Sequence, residues 1–261
     1  MPKNDYWVER NIKTQQKLTN KSIKETEAQL IKYYKKAQKR VINDFIYTYE
    51  KIYSTAAWGI EPTPADLYKL EKYWQLQGQL KNELQKLGDK SCEVLSKNFI
   101  SQYQQIYKAL AIKDTSFFGD ISTETAQQMI NQIWCADGKS WSDRVWKNTD
   151  KLQQALNDRL LDCVVTGKTP SYLKKTLMKE FEVSFTNADT IVRTEMAHIE
   201  TQAARQRYQD YGIQEVEVLA DEDERRCDVC GELHQKRFPI GGKMPVPAHP
   251  RCRCCIVPVV E

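Results

Sequence analysis

The chain has 261 residues, 41% hydrophobic and 28% charged, which suits one large or two ordinary domains folding in water and excludes a disordered or membrane-type composition. Its 39 basic and 35 acidic residues leave a formal charge of +4, too balanced for a protein that coats a polyanion with its whole surface. No apolar run reaches the roughly 18 to 20 residues that span a bilayer, and the opening MPKNDYWVERNIKTQQK lacks the apolar centre of a secretory signal, so residence in a cytoplasm is expected.

Over residues 22–50, Leu30, Tyr34, Ala37, Val41 and Phe45 recur at steps of three and four, the stripe of an amphipathic helix. Pro62 and Pro64 break that pattern. Leu70, Tyr73, Leu80, Leu84 and Leu87 restart it until Gly88 and Asp89, which are expected to stop the second helix. Leu95, Phe99, Tyr103, Ile106 and Leu110 predict a third. Ala126, Met129, Ile130 and Ile133 predict a shorter one capped by Ser122 or Thr123.

Trp134, Trp141 and Trp146, with Gly138 among them, suggest one compact aromatic corner and a domain boundary near 140/141. Val145, Leu152, Leu156, Leu160 and Val164 carry the next helix to Gly167, and Thr169-Pro170 has the form of a cap and first turn. A short helix with Leu173, Leu177 and Phe181 inward is expected to precede a separate one over residues 184–212. On the apolar face of that last helix, formed by Ala188, Ile191, Val192, Ile199 and Ala203, stands one carboxylate, Glu195. After Gly212, alternation at Ile213, Val216 and Val218 predicts a strand, and FPI and IVPVV offer two more. The fold class is therefore mainly α: an N-terminal long-helix region, 1–140, followed by a helical domain, 141–261, ending in a small β-containing module, 213–261.

Three of the eight cysteines, Cys92, Cys135 and Cys163, are scattered and read as small core residues, whereas the other five crowd the last 35 positions. In a reducing compartment such crowding points to metal ligation before disulfides. Cys227 and Cys230 form a C-x-x-C pair and His249 and Cys252 an H-x-x-C pair, the delivery of soft donors that tetrahedral Zn2+ favours. Cys254 is an alternative to His249 as fourth ligand. His234 and His198 are set aside, the first for want of a paired neighbour and the second as a mid-helix residue. Arg225, Arg226, Arg251 and Arg253 flank the ligands and offset thiolate charge. The competing readings are an unligated cysteine cluster and a catalytic zinc. A catalytic zinc keeps an open coordination position, whereas this ligand set is already closed.

Three motifs in order resemble a known family. They are A-D-T-I-V-R-T-E at 188–195, D-E-R-R-C-D-V-C-G-E-L-H-Q-K-R-F-P at 223–239, and V-P-A-H-P-R-C-R-C at 246–254. Together they resemble the phage head morphogenesis proteins of the Mu F type, also called minor head or minor capsid proteins, over roughly residues 145–258. The resemblance implies a low-copy virion component inside the head, made in the host cytoplasm. It would bind portal, capsid or scaffold and act in head assembly, DNA packaging or DNA delivery without turnover, membrane or small-molecule substrate. Arg193, Thr194 and Glu195 look like the family's R-T-E signature. A structural role for Glu195 is expected, holding an arginine such as Arg226.

Two other functions compete with that one. The stretch KYYKKAQKR places Lys32, Lys35, Lys36, Lys39 and Arg40 on one helix, either as a solvated face or as a contact to DNA phosphates. A metal-dependent nuclease is opposed by the softness of the ligands, and no appended toxin domain is expected after Pro258.

Overall fold

A computed structural model describes residues 3–55, 71–110, 119–221, 223–224 and 226–260. Pro62, Pro64, Leu70 and Arg225 lie outside the described residues. The elements in chain order are α1 (Lys3–Thr55), α2 (Glu71–Ala109), α3 (Thr123–Ile130), α4 (Trp141–Val165), α5 (Pro170–Asp210), β1 (Glu215–Leu219), α6 (Asp228–Leu233), β2 (Arg237–Pro239) and β3 (Cys255–Pro258). The protein is mainly helical, with long N-terminal helices and a small C-terminal antiparallel sheet in the order β2-β1-β3. Among the described residues no helix is long and apolar enough to cross a membrane.

Three helices run further than periodicity predicts. α1 begins near residue 3 because its first buried stripe is polar: Asn11, Gln15, Thr19, Ser22 and Thr26 recur at helical spacing. Gln15 donates to the Ile256 carbonyl at 3.1 Å, and Gln102 Nε2 donates to Thr19 Oγ1 at 2.6 Å. Gly88 does not stop α2. It is buried inside the helix, where the Trp146 ring lies so close that a Cβ would meet its atoms at 2.3, 2.6 and 2.9 Å. α5 likewise continues through Ser184, whose carbonyl accepts from Asn148 Nδ2 at 2.8 Å. The predicted caps appear: Thr125 N–H donates to Ser122 Oγ at 3.1 Å, Tyr172 N–H donates to Thr169 Oγ1 at 3.2 Å, and Gly167 takes φ +61° after α4.

The chain divides into two units that interleave along the sequence. Unit 1 comprises Met1–Glu27, Val94–Trp141 and Thr190–Glu261, and unit 2 comprises Ala28–Glu93 and Ser142–Asp189. Both draw on either side of the 140/141 boundary read from the sequence, since α1, α2 and α5 each give one stretch to each unit. The three tryptophans are accordingly dispersed. Trp134 stacks on His198 and Trp141 meets Phe99 edge-on in unit 1, whereas Trp146 covers Gly88 in unit 2.

Unit 2 is a helical core in which Tyr34, Phe45, Leu80, Leu84, Leu156 and Leu177 are buried together. Unit 1 carries the sheet. β1 pairs Val216 with Phe238 and Val218 with Ile256, so its alternate valines turn inward while Glu215 stays exposed. Arg207, at the end of α5, donates from Nε to the Leu110 carbonyl at 3.0 Å and lies between the rings of Tyr107 and Tyr211.

Candidate metal centre

The centre is built on the sheet's connections. Cys227 caps α6, and the Cys230 N–H donates back to Cys227 Sγ at 3.4 Å, so the C-x-x-C pair closes on itself as a helix start. The 249–252 turn comes from the strand-poor segment before β3. Its Cys252 N–H donates to the His249 carbonyl at 3.2 Å, and Arg251 takes φ +61°. That conformation costs a non-glycine residue about 1 kcal/mol or more. The turn is held onto α5: Arg251 N–H donates to Thr194 Oγ1 at 3.1 Å and its Nε to Thr190 Oγ1 at 3.0 Å.

Five donors meet here. Cys227, Cys230 and His249 form one group whose ligand atoms lie within 4.8 Å of one another, and Cys230, Cys252 and Cys254 form a second. His249 Nε2 is 3.2 Å from Cys227 Sγ and 3.1 Å from Cys230 Sγ, and Cys230 Sγ is 3.8 Å from Cys252 Sγ. A tetrahedron with metal–sulfur bonds near 2.3 Å and metal–nitrogen bonds near 2.0 Å has edges of about 3.8 Å between sulfurs and about 3.5 Å between sulfur and nitrogen. The separations from His249 to Cys227 and Cys230 and from Cys230 to Cys252 thus stand near tetrahedral edge lengths, while the two groups share Cys230 alone. The structure also brings in Cys254, keeping the alternative ligand within reach. His249 Nδ1 lies 2.8 Å from the Pro250 carbonyl, which fixes the tautomer that leaves Nε2 as a donor to metal.

The thiols differ in how readily they ionise. The Cys254 hydrogen bond, opposed by burial, brings the Cys252 thiol down to about 5, and the Cys230 N–H lowers Cys227. Burial pushes the Cys230 thiol up to about 12, and the hydrogen bond to Cys252 raises Cys254. His249 is raised, chiefly by its bond to the Pro250 carbonyl. A mixture of ready thiolates and protonated thiols crowded on one point is a state that a bound dication resolves. Arg226, Arg251 and Arg253 line the small recess over the cluster, as the sequence suggests. Arg253 is anchored by Asp221 at 2.8 Å and Asp223 at 2.6 Å.

The R-T-E turn of α5 lies beside this centre and ties three other segments to the helix. Arg193 pairs with Glu27 of α1, Thr194 holds the Arg251 turn, and Glu195 accepts from Trp134 Nε1 at 3.0 Å. Glu195 is only 3% exposed, whereas Arg226 is exposed and lines the recess at the cysteines. His234 Nδ1 accepts from the Ala220 N–H at 3.2 Å. His198 is buried and stacked on Trp134 with ring centroids 4.2 Å apart, and burial holds its imidazole down at about 4.

Sequence reasoning missed the tie between Thr190 and Arg251. Its only local sign is a threonine one helical turn before Thr194.

Among the described residues, this is a helical protein with a small sheet and a cluster of soft Cys and His donors that could hold a metal ion. Residues 154–257 match the model of the family described as Phage Mu protein F like protein, a family associated with phage head morphogenesis. The matched span contains all five candidate ligands and the R-T-E turn. No curated protein and no solved structure matches the chain.

Proposed function

We propose that the chain is a phage minor head protein: a low-copy virion component that binds the portal or the capsid interior and acts in head assembly, DNA packaging or DNA delivery. The observation that carries this reading is the Mu F-like domain over residues 154–257, with its R-T-E turn docked onto a soft-donor centre. The centre is a structural Zn2+ staple held by Cys227, Cys230, His249 and Cys252, with Cys254 as the alternative to His249. Three thiolates and an imidazole already fill a tetrahedron, so the metal organises the turn before β3 and leaves no coordination position for a substrate. The chain therefore acts by binding rather than by turnover.

Two measurements test the reading. Quantitative mass spectrometry of purified phage particles is expected to find the protein at a few copies per head, and disrupting its gene is expected to yield defective particles. Metal analysis of chelator-free protein is expected to find about one zinc per chain, with thiols released on chelation. Absence from particles would defeat the head-protein reading, and zinc-free protein with freely reactive thiols would defeat the staple.

A further inference from the structure

Two stretches of unit 2, more than 100 residues apart in the chain, carry positive charge without any acidic residue. Between Glu27 and Asp44 the sequence holds five basic residues and no carboxylate, and between Asp162 and Glu180 it holds four and no carboxylate. The fold lays these stretches against one another. Tyr34 packs edge-on against Phe185, Gln38 Nε2 donates to the Met178 carbonyl at 3.5 Å, and Tyr49 hydroxyl bonds to the Cys163 carbonyl at 3.1 Å. The first two contacts pair 34 with 185 and 38 with 178, so α1 and α5 run antiparallel here, and the third sets Tyr49 of α1 against the end of α4.

On α1, Lys32, Lys35, Lys36 and Lys39 are exposed, and none is held in an ion pair among the described residues. Arg40 differs: its guanidinium reaches both oxygens of Glu83, at 3.1 and 3.0 Å, and so is not available to a ligand. On α5, Lys174, Lys175 and Lys179 are exposed and equally without ion-pair partners, while the acidic neighbour Glu180 is taken by Arg159 at 2.8 Å.

We propose that this α1–α5 face of unit 2 is a docking surface for the phosphate backbone of double-stranded DNA. The face offers lysines rather than paired arginine forks, which suits sequence-independent contact with phosphates over base reading. A lipid surface is the poorer fit, because the apolar stripe of α1 is already buried in the core of unit 2 and has no face left to insert. Each helix supplies charges along a straight rod with a rise near 1.5 Å per residue, so seven lysines on two adjacent rods present a strip of charge, not a single point. The inference does not depend on the minor-head reading and tests separately from it.

The experiment uses the full chain and a fluorescent 30-base-pair duplex of random sequence, with binding followed by anisotropy over a salt series. Binding is expected to weaken steeply with salt, by about 0.9 in logarithmic slope per phosphate contact. A Lys35→Gln/Lys39→Gln/Lys174→Gln/Lys175→Gln variant is expected to lose at least tenfold in affinity, with a visibly shallower slope. A Lys236→Gln/Lys243→Gln control in the C-terminal module should bind like the parent. Circular dichroism checks that the variants fold, and Lys174→Gln/Lys175→Gln/Lys179→Gln, which leaves α1 untouched, provides a second reading. The proposal is overturned by a parent that does not bind duplex at low salt, by a four-lysine variant that binds like the parent, or by capture on anionic phosphatidylserine vesicles in place of DNA.

Discussion

Replacing Gly88 by alanine sets two effects of opposite sign against each other. In a helix interior alanine is favoured over glycine by about 0.8 to 1 kcal/mol, so a purely local view predicts a more stable protein. The structure opposes that gain: a Cβ at position 88 would lie 2.3, 2.6 and 2.9 Å from three atoms of the Trp146 ring, against the 3.5 to 4.0 Å that carbon pairs prefer. The indole would have to move by about 1 Å within a packed helical unit, and such overpacking typically costs 1 to 3 kcal/mol. The steric term wins, and Gly88→Ala is expected to destabilise unit 2 by about 1 kcal/mol net. For a chain of this size that lowers the melting temperature by about 2 to 4 °C. Circular dichroism melts of the parent and the variant measure it, together with the same pair in a Trp146→Leu background. Removing the indole should reverse the sign and make alanine the stabilising residue. A rise in melting temperature on Gly88→Ala in the native background would refute the packing argument.

Other consequences can be measured alongside. Thr194→Val deletes the acceptor of the Arg251 N–H while keeping the side-chain shape. A hydrogen bond of about 1 kcal/mol lost from a preset ligand turn should weaken zinc binding about fivefold in competition with a chromophoric chelator, and an affinity within twofold of the parent would show that the turn needs no such support. Glu195→Leu leaves the Trp134 indole N–H without its carboxylate. It should cost about 1.5 to 3 kcal/mol in urea denaturation and shift the tryptophan emission, and no change in either would remove Glu195 from its role as a strut. His198 should make the fold acid-sensitive. Its imidazole stands at about 4 when folded against 6.5 when free, so its contribution is fully present above pH 6.5 and is lost as pH falls toward 4, reaching about 3 kcal/mol. His198→Leu should lose less stability than the parent between pH 7 and pH 4.5, and parallel losses would contradict the assignment.

Helix positions were legible wherever the inward residues are apolar, as with Leu30, Tyr34, Ala37, Val41 and Phe45. The first turns of α1 were not, because Asn11, Gln15, Thr19 and Ser22 occupy the same inward stripe with polar side chains, and hydropathy has no means of registering them. Gly88 looked like a stop because chain-local chemistry treats glycine as a breaker, whereas its role is to admit a ring from Trp146. The three tryptophans looked like one corner because they are close in sequence, and the interleaving of the units sends them to different places.

By itself the sequence determined what depends on spacing over a few residues: the helical stripes, the caps at Ser122 and Thr169, and the candidate C-x-x-C pair, whose Cys230 N–H turns back to Cys227 by local geometry alone. Only the tertiary structure decided which distant groups meet. It brought Cys254 to Cys230, set the Arg251 turn on Thr190 and Thr194, gave Glu195 to Trp134, and laid the second half of α1 against the start of α5. Those pairings depend on how long helices pack against each other, and packing is a property of all the buried faces at once, which no short window of sequence contains.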